Sequence, residues 1–447
     1  MTKSKDNATS WVVLGIVTFS LFLEVGVIKS FSVLLPAIKE QFETYTWVVG
    51  SAVSIILGWG SVIGLSASVL VNRFGPRVCL MMCGLVSTIG LIICSVRRIG
   101  PRVCLMMCGL VSTIGLIICA CAPNSLVLLL GLILTGFLYL QEIVAIGVIP
   151  QYFDKYYNTA VAVYLCGSGF GIILMPLLTQ IFLDIYGWRG ALLLLSGLCL
   201  HSLPCGAMLY QNQTEEKEEK TNLLIPKTGS SNENDSPSNI SKLLRGIFCS
   251  LLLTNLSFIA QVLVPAFAWG YTLTGWLIYI VSFSLSNGTT MREASIVGTC
   301  GGIGLTAIRV ILPPLNQVVT YKQLMYTSSL ISAFALALTY FFNTFIGMCL
   351  MSVFFGAGVG ILGVELYIAI KETTNENEYL HAVALTNLLH GFAALASGFI
   401  TGWLFDMTGS FVASFGGLAA ISLLTTVSLG FEDIWNGFKN RNRSAAI

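Results

Sequence analysis

Long apolar stretches alternate with short polar connections along most of the chain. Each stretch has about the 20 residues that a helix needs to cross the hydrocarbon core of a bilayer. Before a polar segment they cover 11–35, 46–71, 78–95, 103–122, 125–149, 159–184 and 189–210; after it they cover 246–286, 294–318, 323–342, 345–370, 381–405 and 411–431. The pattern predicts an all-α integral membrane protein.

The polar segment 211–242 separates the two sets of stretches. It is rich in Glu, Lys, Asn and Ser and nearly free of aromatic residues, so it is predicted to be a disordered linker. The stretch 246–286 is long for one span, and we expect 246–265 to be an interfacial or extended lead-in to a span at about 268–286. The predicted organisation is an N-terminus (1–10), a helical half (11–210), the linker (211–242), a second half (243–431) and a tail (432–447).

Composition excludes several classes of protein. Hydrophobic residues make up 55% of the chain and charged residues only 10%, whereas soluble domains carry about 25% charged residues. The net charge of +2 argues against a nucleic-acid partner. The 13 cysteines lie singly in apolar stretches, and no nucleophile–base pair or metal-ligand cluster is evident. We therefore expect neither an enzyme nor a metal or cofactor site.

An identical 20-residue sequence occurs twice, at 75–94 and again at 100–119. If both copies span, Arg97, Arg98 and Arg102 fall on the side opposite Arg73 and Arg77, which conflicts with the positive-inside rule. Counting one copy gives twelve working helices in two six-helix halves. The basic residues then place both termini and the linker in the cytoplasm.

Three charged residues within predicted spans are functional candidates, because charge inside a membrane is costly. Glu24 and Lys29 lie on the first helix, and Arg309 lies deeper than Lys29 on a later one. The Pro313–Pro314 pair follows Arg309 and predicts a helix break there. A cation beside broken backbone is a candidate anion site, although Lys29 snorkelling to the interface and Arg309 to the rim is the structural alternative.

Other polar residues in the stretches favour structural roles. Glu142 and Glu365 are expected mainly as interfacial residues, and His390 as a hydrogen-bonded interior histidine. The glycine series 356–363 and 167–171 suits close helix packing.

Several motifs in order resemble the monocarboxylate transporter family of the major facilitator superfamily. They are VIKSFSVLLPAIKEQF (27–42), LVNRFGPR (70–77, with Asn72 for the usual Asp), QYFDKYYNTAVAVYLCGSGFG (151–171), GWRGA (187–191) and FDMTGSFVASF (405–415). The resemblance implies a twelve-helix carrier of small organic acids that often moves a proton with its substrate. It extends over most of the chain outside the duplication, the linker and 246–266.

The resemblance also assigns roles to individual positions. Lys29 and Arg309 fall on the family's two substrate-binding cations, whereas Leu305 replaces the aspartate one turn before that arginine. His390 falls on a family glutamate, and Tyr156–Tyr157 on an Arg-Arg pair. We therefore expect substrate binding at Lys29 and Arg309, and weak or absent proton coupling, with Lys29, Glu24 and His390 as the remaining coupling candidates.

The resulting hypothesis is a plasma-membrane carrier of small organic anions that works by alternating access in the lipid bilayer, with H⁺ as a candidate co-substrate. The alternatives are a proton-independent facilitator of a larger or zwitterionic solute and a non-transporting pseudotransporter, receptor or chaperone client. Some family members require a single-span immunoglobulin-type ancillary subunit, and the resemblance leaves that partner open.

Overall fold

A computed structural model gives the fold of residues 7–43, 45–58, 101–139, 152–208, 255–338, 341, 344–375 and 379–445, together with 142, 145, 146 and 149. Every regular element in these residues is helical. Seven of the described helices are long and apolar enough to cross a membrane. The predicted all-α fold is confirmed, while the first copy of the duplication (75–94) and the predicted linker (211–242) lie outside the described residues.

The helices follow the predicted apolar stretches closely. They are α1 (Ala8–Phe42), α2 (Thr46–Gly58), α3 (Pro101–Ala120), α4 (Ser125–Tyr139), α5 (Tyr157–Cys199), α6 (Ser202–Met208), α7 (Leu256–Ser286), α8 (Met291–Leu315), α9 (Tyr321–Ala337), α10 (Phe345–Thr373), α11 (Tyr379–Thr408), α12 (Phe411–Ser422) and α13 (Leu424–Ala445). Gly187, with φ 69°, divides α5 into a first arm and a second arm. Only glycine adopts this backbone conformation readily, which explains the predicted boundary between two spans.

The start of α7 is continuous with the predicted span. Residues 256–265 are helical, and α7 contains a π-helical turn at Ile259–Leu263. The polar side chain of Gln261 is satisfied inside the protein, because its amide donates to Glu432 at 2.6 Å and accepts from the Tyr321 hydroxyl at 2.8 Å. The interfacial position of this segment stays a prediction.

The end of α8 corrects one prediction. The helix continues through Pro313 and Pro314 to Leu315, so the expected break beside Arg309 is absent from its backbone. The two prolines still remove the N–H donors that would reach the carbonyls of Arg309 and Val310. Because they lie in the last turn, the helix ends shortly after them instead of breaking at depth.

Helix α1 and the first arm of α5 pack closely and run parallel. The contacts advance by one turn on both helices, from Thr18 with Gly167 through Phe22 with Gly171 and Gly26 with Met175 to Ser30 with Thr179. A Cβ added at Gly167 would lie 2.2 Å from the Thr18 carbonyl oxygen. Glycine is therefore required for this close approach.

This parallel orientation bears on the duplication. Two helices of the same direction are separated by an odd number of crossings, and the sequence predicts three between α1 and α5 when one copy is counted. Four crossings would make the pair antiparallel. The second copy coincides with α3, which packs as a hairpin against α4, with Gly115 beside Gly131.

The C-terminal helices repeat the arrangement of the N-terminal ones. Helices α7 and α11 run parallel, with the Ser397 hydroxyl donating to the Tyr271 carbonyl and the Tyr279 hydroxyl donating to the Gly398 carbonyl. Helices α8 and α10 are also parallel, with Gly301 against Gly356. Two similar halves are the plan of many secondary transporters.

Two antiparallel helix pairs join the halves. In one, α5 lies against α8, from Leu165 beside Arg309 to Gln180 beside Ser295. In the other, α2 lies against α11, and the Asp406 carboxylate accepts the Trp47 N–H at 2.9 Å. In the α2–α11 pair Gly50 and Gly398 are in backbone contact, while in the α5–α8 pair Gly169 and Gly302 pack against side chains of the partner helix. Small residues at both contacts let the helices approach closely.

Candidate functional site

Arg309 lies buried where α5, α8 and α10 meet. Its Nη1 donates to the Leu165 carbonyl and, at 2.6 Å, to the Ser168 hydroxyl, while its Nε lies 3.5 Å from the Gly360 carbonyl. The side chain is 1% exposed, so the alternative of snorkelling to the rim is wrong. The guanidinium belongs to the second half but donates mainly to the first.

Glycines on α10 make room for this guanidinium. A Cβ at Gly363 would lie 3.3 Å from Arg309 Nη2 and 3.1 Å from the Trp269 ring. The indole of Trp269 donates to the Val359 carbonyl at 3.2 Å, which fixes the ring beside the arginine. The predicted packing glycines therefore also shape the wall around the cation.

Lys29 occupies a second buried position, between α1, α7 and α8. Its ammonium donates to the Leu277 carbonyl at 2.9 Å and lies 4.7 Å from the Trp276 ring centroid. The residue has no exposed surface, so the snorkelling alternative is wrong here as well. A carbonyl and an aromatic face stabilise the charge without neutralising it.

Neither cation has a close carboxylate partner within the described part of the chain. The salt bridges found there join Lys322 to Glu432 and Asp433 at 3.2 and 3.8 Å. A buried cation without a carboxylate contact is a favourable place for a substrate anion, because charge-assisted hydrogen bonds are strong in a dry site.

The separation of the two cations along the helix axes can be counted in residues on α8 and on α7. Lys29 is level with Gly298 of α8 and with Leu277 of α7. Arg309 is eleven residues beyond Gly298, and its neighbour Trp269 is eight residues from Leu277. At 1.5 Å per residue the axial separation is roughly 12–16 Å. A small monocarboxylate therefore contacts one cation at a time.

Two buried carboxyl groups come from the first half. Glu142 is buried and accepts from the Tyr367 hydroxyl at 3.1 Å. Glu24 is 1% exposed, and neither of its oxygens has a hydrogen-bond partner among the described residues. Glu142 lies within electrostatic range of both Glu24 and Arg309.

His390 lies on the other side of Trp269. Its Nδ1 is 3.1 Å from the Tyr139 hydroxyl, and the two rings stack with centroids 5.9 Å apart. The Trp269 ring centroid lies 4.8 Å away. The predicted interior position is confirmed, but Nε2 lacks a partner among the described residues, so the expectation of a fully hydrogen-bonded histidine is wrong.

The structure brings two of the predicted residues together. Arg309 and His390 both lie beside Trp269, whereas Lys29 lies at another level and Glu24 lies between the two levels on α1. Leu305 is buried beside Gly169, one turn before Arg309, and carries no titratable group.

Sequence reasoning did not place Glu142 beside a cation. It is buried within range of Arg309. Glu365 is also buried, beside Asn316 at the end of α8. The expected interfacial position of both residues is compatible with burial and stays a prediction. The available signal was a carboxyl group inside an apolar stretch, which is costly unless it serves a function or is neutralised.

Comparisons with known proteins agree with this architecture. The family model described as Major Facilitator Superfamily matches residues 93–291, a region that includes the second copy of the duplication. Mouse monocarboxylate transporter 6 is 24% identical over 427 residues, covering 91% of this chain and 83% of the relative. The chain is thus similar to members of the monocarboxylate transporter family within the major facilitator superfamily. Bovine monocarboxylate transporter 13 is 23% identical over 92% of this chain and 86% of its own length.

A third relative is more similar over a shorter region. Mouse monocarboxylate transporter 11 is 32% identical over 208 residues, which cover 46% of this chain and 40% of the relative. Together these similarities support a multi-pass membrane transporter of the major facilitator type. The helix directions, the two similar halves and the buried cations between them are features that such a carrier requires.

No group of three or more His, Cys, Asp or Glu side chains suited to a metal ion occurs within the described ranges. The buried charged groups of the site are suited to ionic recognition. The site consists of two buried cations, two buried carboxyl groups and aromatic walls, arranged around the contact between the halves.

Proposed function

We propose that this transporter carries small organic monocarboxylate anions by alternating access, with Arg309 holding the substrate carboxylate. The observation that carries the proposal is the set of hydrogen bonds from Arg309 to Leu165 and Ser168 across the two halves. A substrate carboxylate offers the guanidinium two charged acceptors in place of neutral ones. Binding would therefore weaken the hydrogen bonds from Arg309 to Leu165 and Ser168, which join the halves, while the substrate carboxylate becomes the new acceptor.

Lys29 would bind the anion before or after Arg309 does, at a different depth along the path. Its hydrogen bond to the Leu277 carbonyl also joins the two halves. Here the donor belongs to the first half and the acceptor to the second, whereas the reverse holds for Arg309. With a separation of roughly 12–16 Å, the anion passes between the two cations rather than bridging them. The Trp269 and Trp276 rings stand beside Arg309 and Lys29 and limit the size of the solute.

A panel of labelled solutes tests this function. Cells expressing the chain take up saturable amounts of short monocarboxylates, and each corresponding primary amide, which lacks the charge, fails to compete. Uptake is divided by the amount of transporter at the cell surface. A protein that stays inside the cell because it lacks an ancillary subunit is thereby distinguished from one that reaches the surface and does not transport. Equal competition by the amides would refute carboxylate recognition, and a surface protein that moves no solute would be a pseudotransporter.

A zwitterionic solute is the second candidate. The carboxyl group of Glu142 lies in electrostatic range of Arg309 and would suit an ammonium group beside the bound carboxylate. Alanine and propanoate differ in that ammonium and distinguish the two solutes. Saturable alanine uptake without propanoate uptake would favour the zwitterion.

The cellular setting follows the sequence-based prediction. The charge pattern supports a plasma-membrane protein with both termini in the cytoplasm. In that orientation α1 begins on the cytoplasmic side, with Trp11 packed edge-on against Phe153 at 5.2 Å. Lys29 would then lie nearer the outside than Arg309.

A further inference from the structure

The C-terminal helix α13 carries a row of large exposed apolar side chains. Val427, Phe431, Ile434, Trp435 and Phe438 are each 53–65% exposed. At about 100° per residue they fall within one stripe along the helix. The Phe431 and Trp435 rings stack, with their centroids 6.4 Å apart. A continuous apolar row of this kind marks an interaction surface.

The opposite face of α13 is bound to the protein, which fixes the direction in which the row points. Glu432 is 1% exposed and accepts hydrogen bonds from Gln261 of α7 at 2.6 Å and from Lys322 of α9 at 3.2 Å. The Asp433 carboxylate accepts from the Tyr326 hydroxyl of α9 at 2.9 Å. Both acidic side chains therefore face α7 and α9, and the apolar row faces away from the protein.

The depth of the row follows from counting residues along α12 and α13. A helix crosses about 30 Å of hydrocarbon in about 20 residues, so a span that begins at Phe411 leaves the hydrocarbon near Phe431. At about 1.5 Å per residue, Trp435 lies roughly 6 Å and Phe438 roughly 10 Å farther along the helix. The headgroup layer on each side of a bilayer is about 5–8 Å thick. The end of the row therefore lies within this layer and at its outer edge.

The row continues the surface that this span presents to lipid. In the most apolar part of the span Phe411–Lys439, 33% of the residues are buried, against 61–67% in the other six described spans. Val427 lies on this exposed face within the hydrocarbon, and Trp435 and Phe438 extend the same face beyond it. Tryptophan and tyrosine are enriched at the boundary between hydrocarbon and headgroups. This continuity favours the bilayer as the partner of the row.

Basic residues border the row at its outer end. Lys439 and Arg441 are both exposed, and their positions on the helix lie on opposite sides of the apolar stripe. Residues 434–447 contain three basic residues and no acidic ones. Long basic side chains keep their aliphatic stems on apolar surface while their charges reach the lipid phosphates. The end of α13 is therefore complementary to an anionic headgroup layer.

We propose that the last turns of α13 bind anionic phospholipids, with Trp435 and Phe438 in the headgroup layer and Lys439 and Arg441 beside the lipid phosphates. The partner is a phospholipid with net negative charge in the leaflet through which the helix leaves the membrane. In the predicted orientation this is the cytoplasmic leaflet, where anionic lipids give a negative surface potential. The inference does not depend on which solute the protein carries.

Lipid retention by the purified full chain tests the proposal without any transport. The chain is placed in micelles that contain equal amounts of phosphatidylserine and phosphatidylcholine, and native mass spectrometry counts the lipids that stay bound. We expect a severalfold preference for phosphatidylserine. Lys439→Gln and Arg441→Gln should each lower this preference by up to roughly fivefold, because each basic residue near an anionic surface contributes to binding.

Arg292→Gln is the matched control. Arg292 is an exposed cation at the start of α8, at the opposite end of the second half. This variant loses the same charge and should keep the wild-type preference. A wild-type chain that retains both lipids equally, or a preference that survives the loss of both Lys439 and Arg441, would overturn the proposal.

Tryptophan fluorescence in proteoliposomes tests where the row lies. The chain has eight tryptophans, and the difference between the wild type and Trp435→Phe isolates the signal of Trp435. We expect phosphatidylserine that is brominated near the headgroup end of its acyl chains to quench this signal more than equally brominated phosphatidylcholine. The signal of Trp403, which is 43% exposed near the other end of the bundle, should be quenched equally by both lipids.

A different occupant of the row would give a different result. If a second copy of the chain or a soluble protein covered it, neither brominated lipid would quench the Trp435 signal, and lipid binding would be overturned. Equal quenching by the two lipids would place the row in the membrane but refute its selectivity for anionic headgroups, and with it the proposal.

Discussion

The ammonium of Lys29 on α1 donates a 2.9 Å hydrogen bond to the backbone carbonyl of Leu277 on α7. Arg309 makes the reciprocal contact, since it lies in the second half and donates to the Leu165 carbonyl in the first. Each cation thus binds the backbone of the opposite half. An anion that competes for either cation affects the contact between the halves as well as its own binding.

Replacing Lys29 separates its charge from its hydrogen bond. Lys29→Gln retains an N–H donor for the Leu277 carbonyl but removes the charge, whereas Lys29→Arg keeps the charge. We expect the glutamine variant to lose about tenfold in uptake at low substrate concentration, equivalent to about 1.4 kcal/mol, and the arginine variant to lose less. Initial rates corrected for surface protein measure this, and wild-type rates in Lys29→Gln would remove Lys29 from the anion path.

Replacing Arg309 should abolish uptake without abolishing surface expression. An anion left without its buried cation loses several kcal/mol, so Arg309→Ala should fall by roughly a hundredfold or more in uptake efficiency. Arg309→Lys should also fail, because an ammonium does not reproduce bidentate geometry. Arg292→Ala, at the exposed start of the same helix, is the control and should transport normally. Normal uptake by Arg309→Lys would move the site elsewhere.

Two tyrosines join the halves near the start of α1. The hydroxyl groups of Tyr157 and Tyr379 are 2.8 Å apart, and the Lys371 ammonium lies 4.2 Å from the Tyr157 ring centroid. This contact stabilises the closed state at that end. We expect Tyr157→Phe and Tyr379→Phe each to favour opening there, and the double variant to add little, with a coupling of about 1 kcal/mol.

The ratio of influx to efflux rates measures the position of that gate. Tyr186→Phe, at a largely exposed ring, should leave the ratio unchanged. Fully additive effects of the two gate substitutions would show that the two hydroxyl groups do not act together.

Deleting 75–99 should give a transporter that is expressed at least as well as the full chain. The parallel packing of α1 and α5 fits three intervening crossings, and the second copy supplies one of them as α3. Immunoblots of surface protein and solute uptake check this prediction. A shortened chain that is retained and degraded, beside a full chain that reaches the surface, would show that both copies are needed.

Epitope tags test the predicted topology. Tags at residue 1, near residue 230 and at residue 447 should stain only after permeabilisation, because the Lys and Arg bias places all three in the cytoplasm. Staining of any one of them on intact cells would contradict the twelve-span arrangement.

Much of the candidate site can be predicted from the amino-acid sequence. Charged residues are rare in apolar stretches, so Glu24, Lys29 and Arg309 stand out by their positions along the chain. Their depth order follows from counting residues at about 1.5 Å each. Glu142 is visible on the same grounds, but its position along its stretch did not predict that it would lie within range of Arg309.

The sequence by itself determined the class of the protein and the extent of most of its helices, because lipid requires about 20 apolar residues in each crossing helix. It did not determine which helices are in contact. When most faces of a helix are hydrophobic, the sequence does not show which face packs against another helix and which faces lipid. The tertiary structure alone made α1 parallel to α5, extended α7 back to Leu256 by pairing Gln261 with Glu432, and brought Glu142 within range of Arg309. These are long-range pairings, and only packing between distant segments decides them.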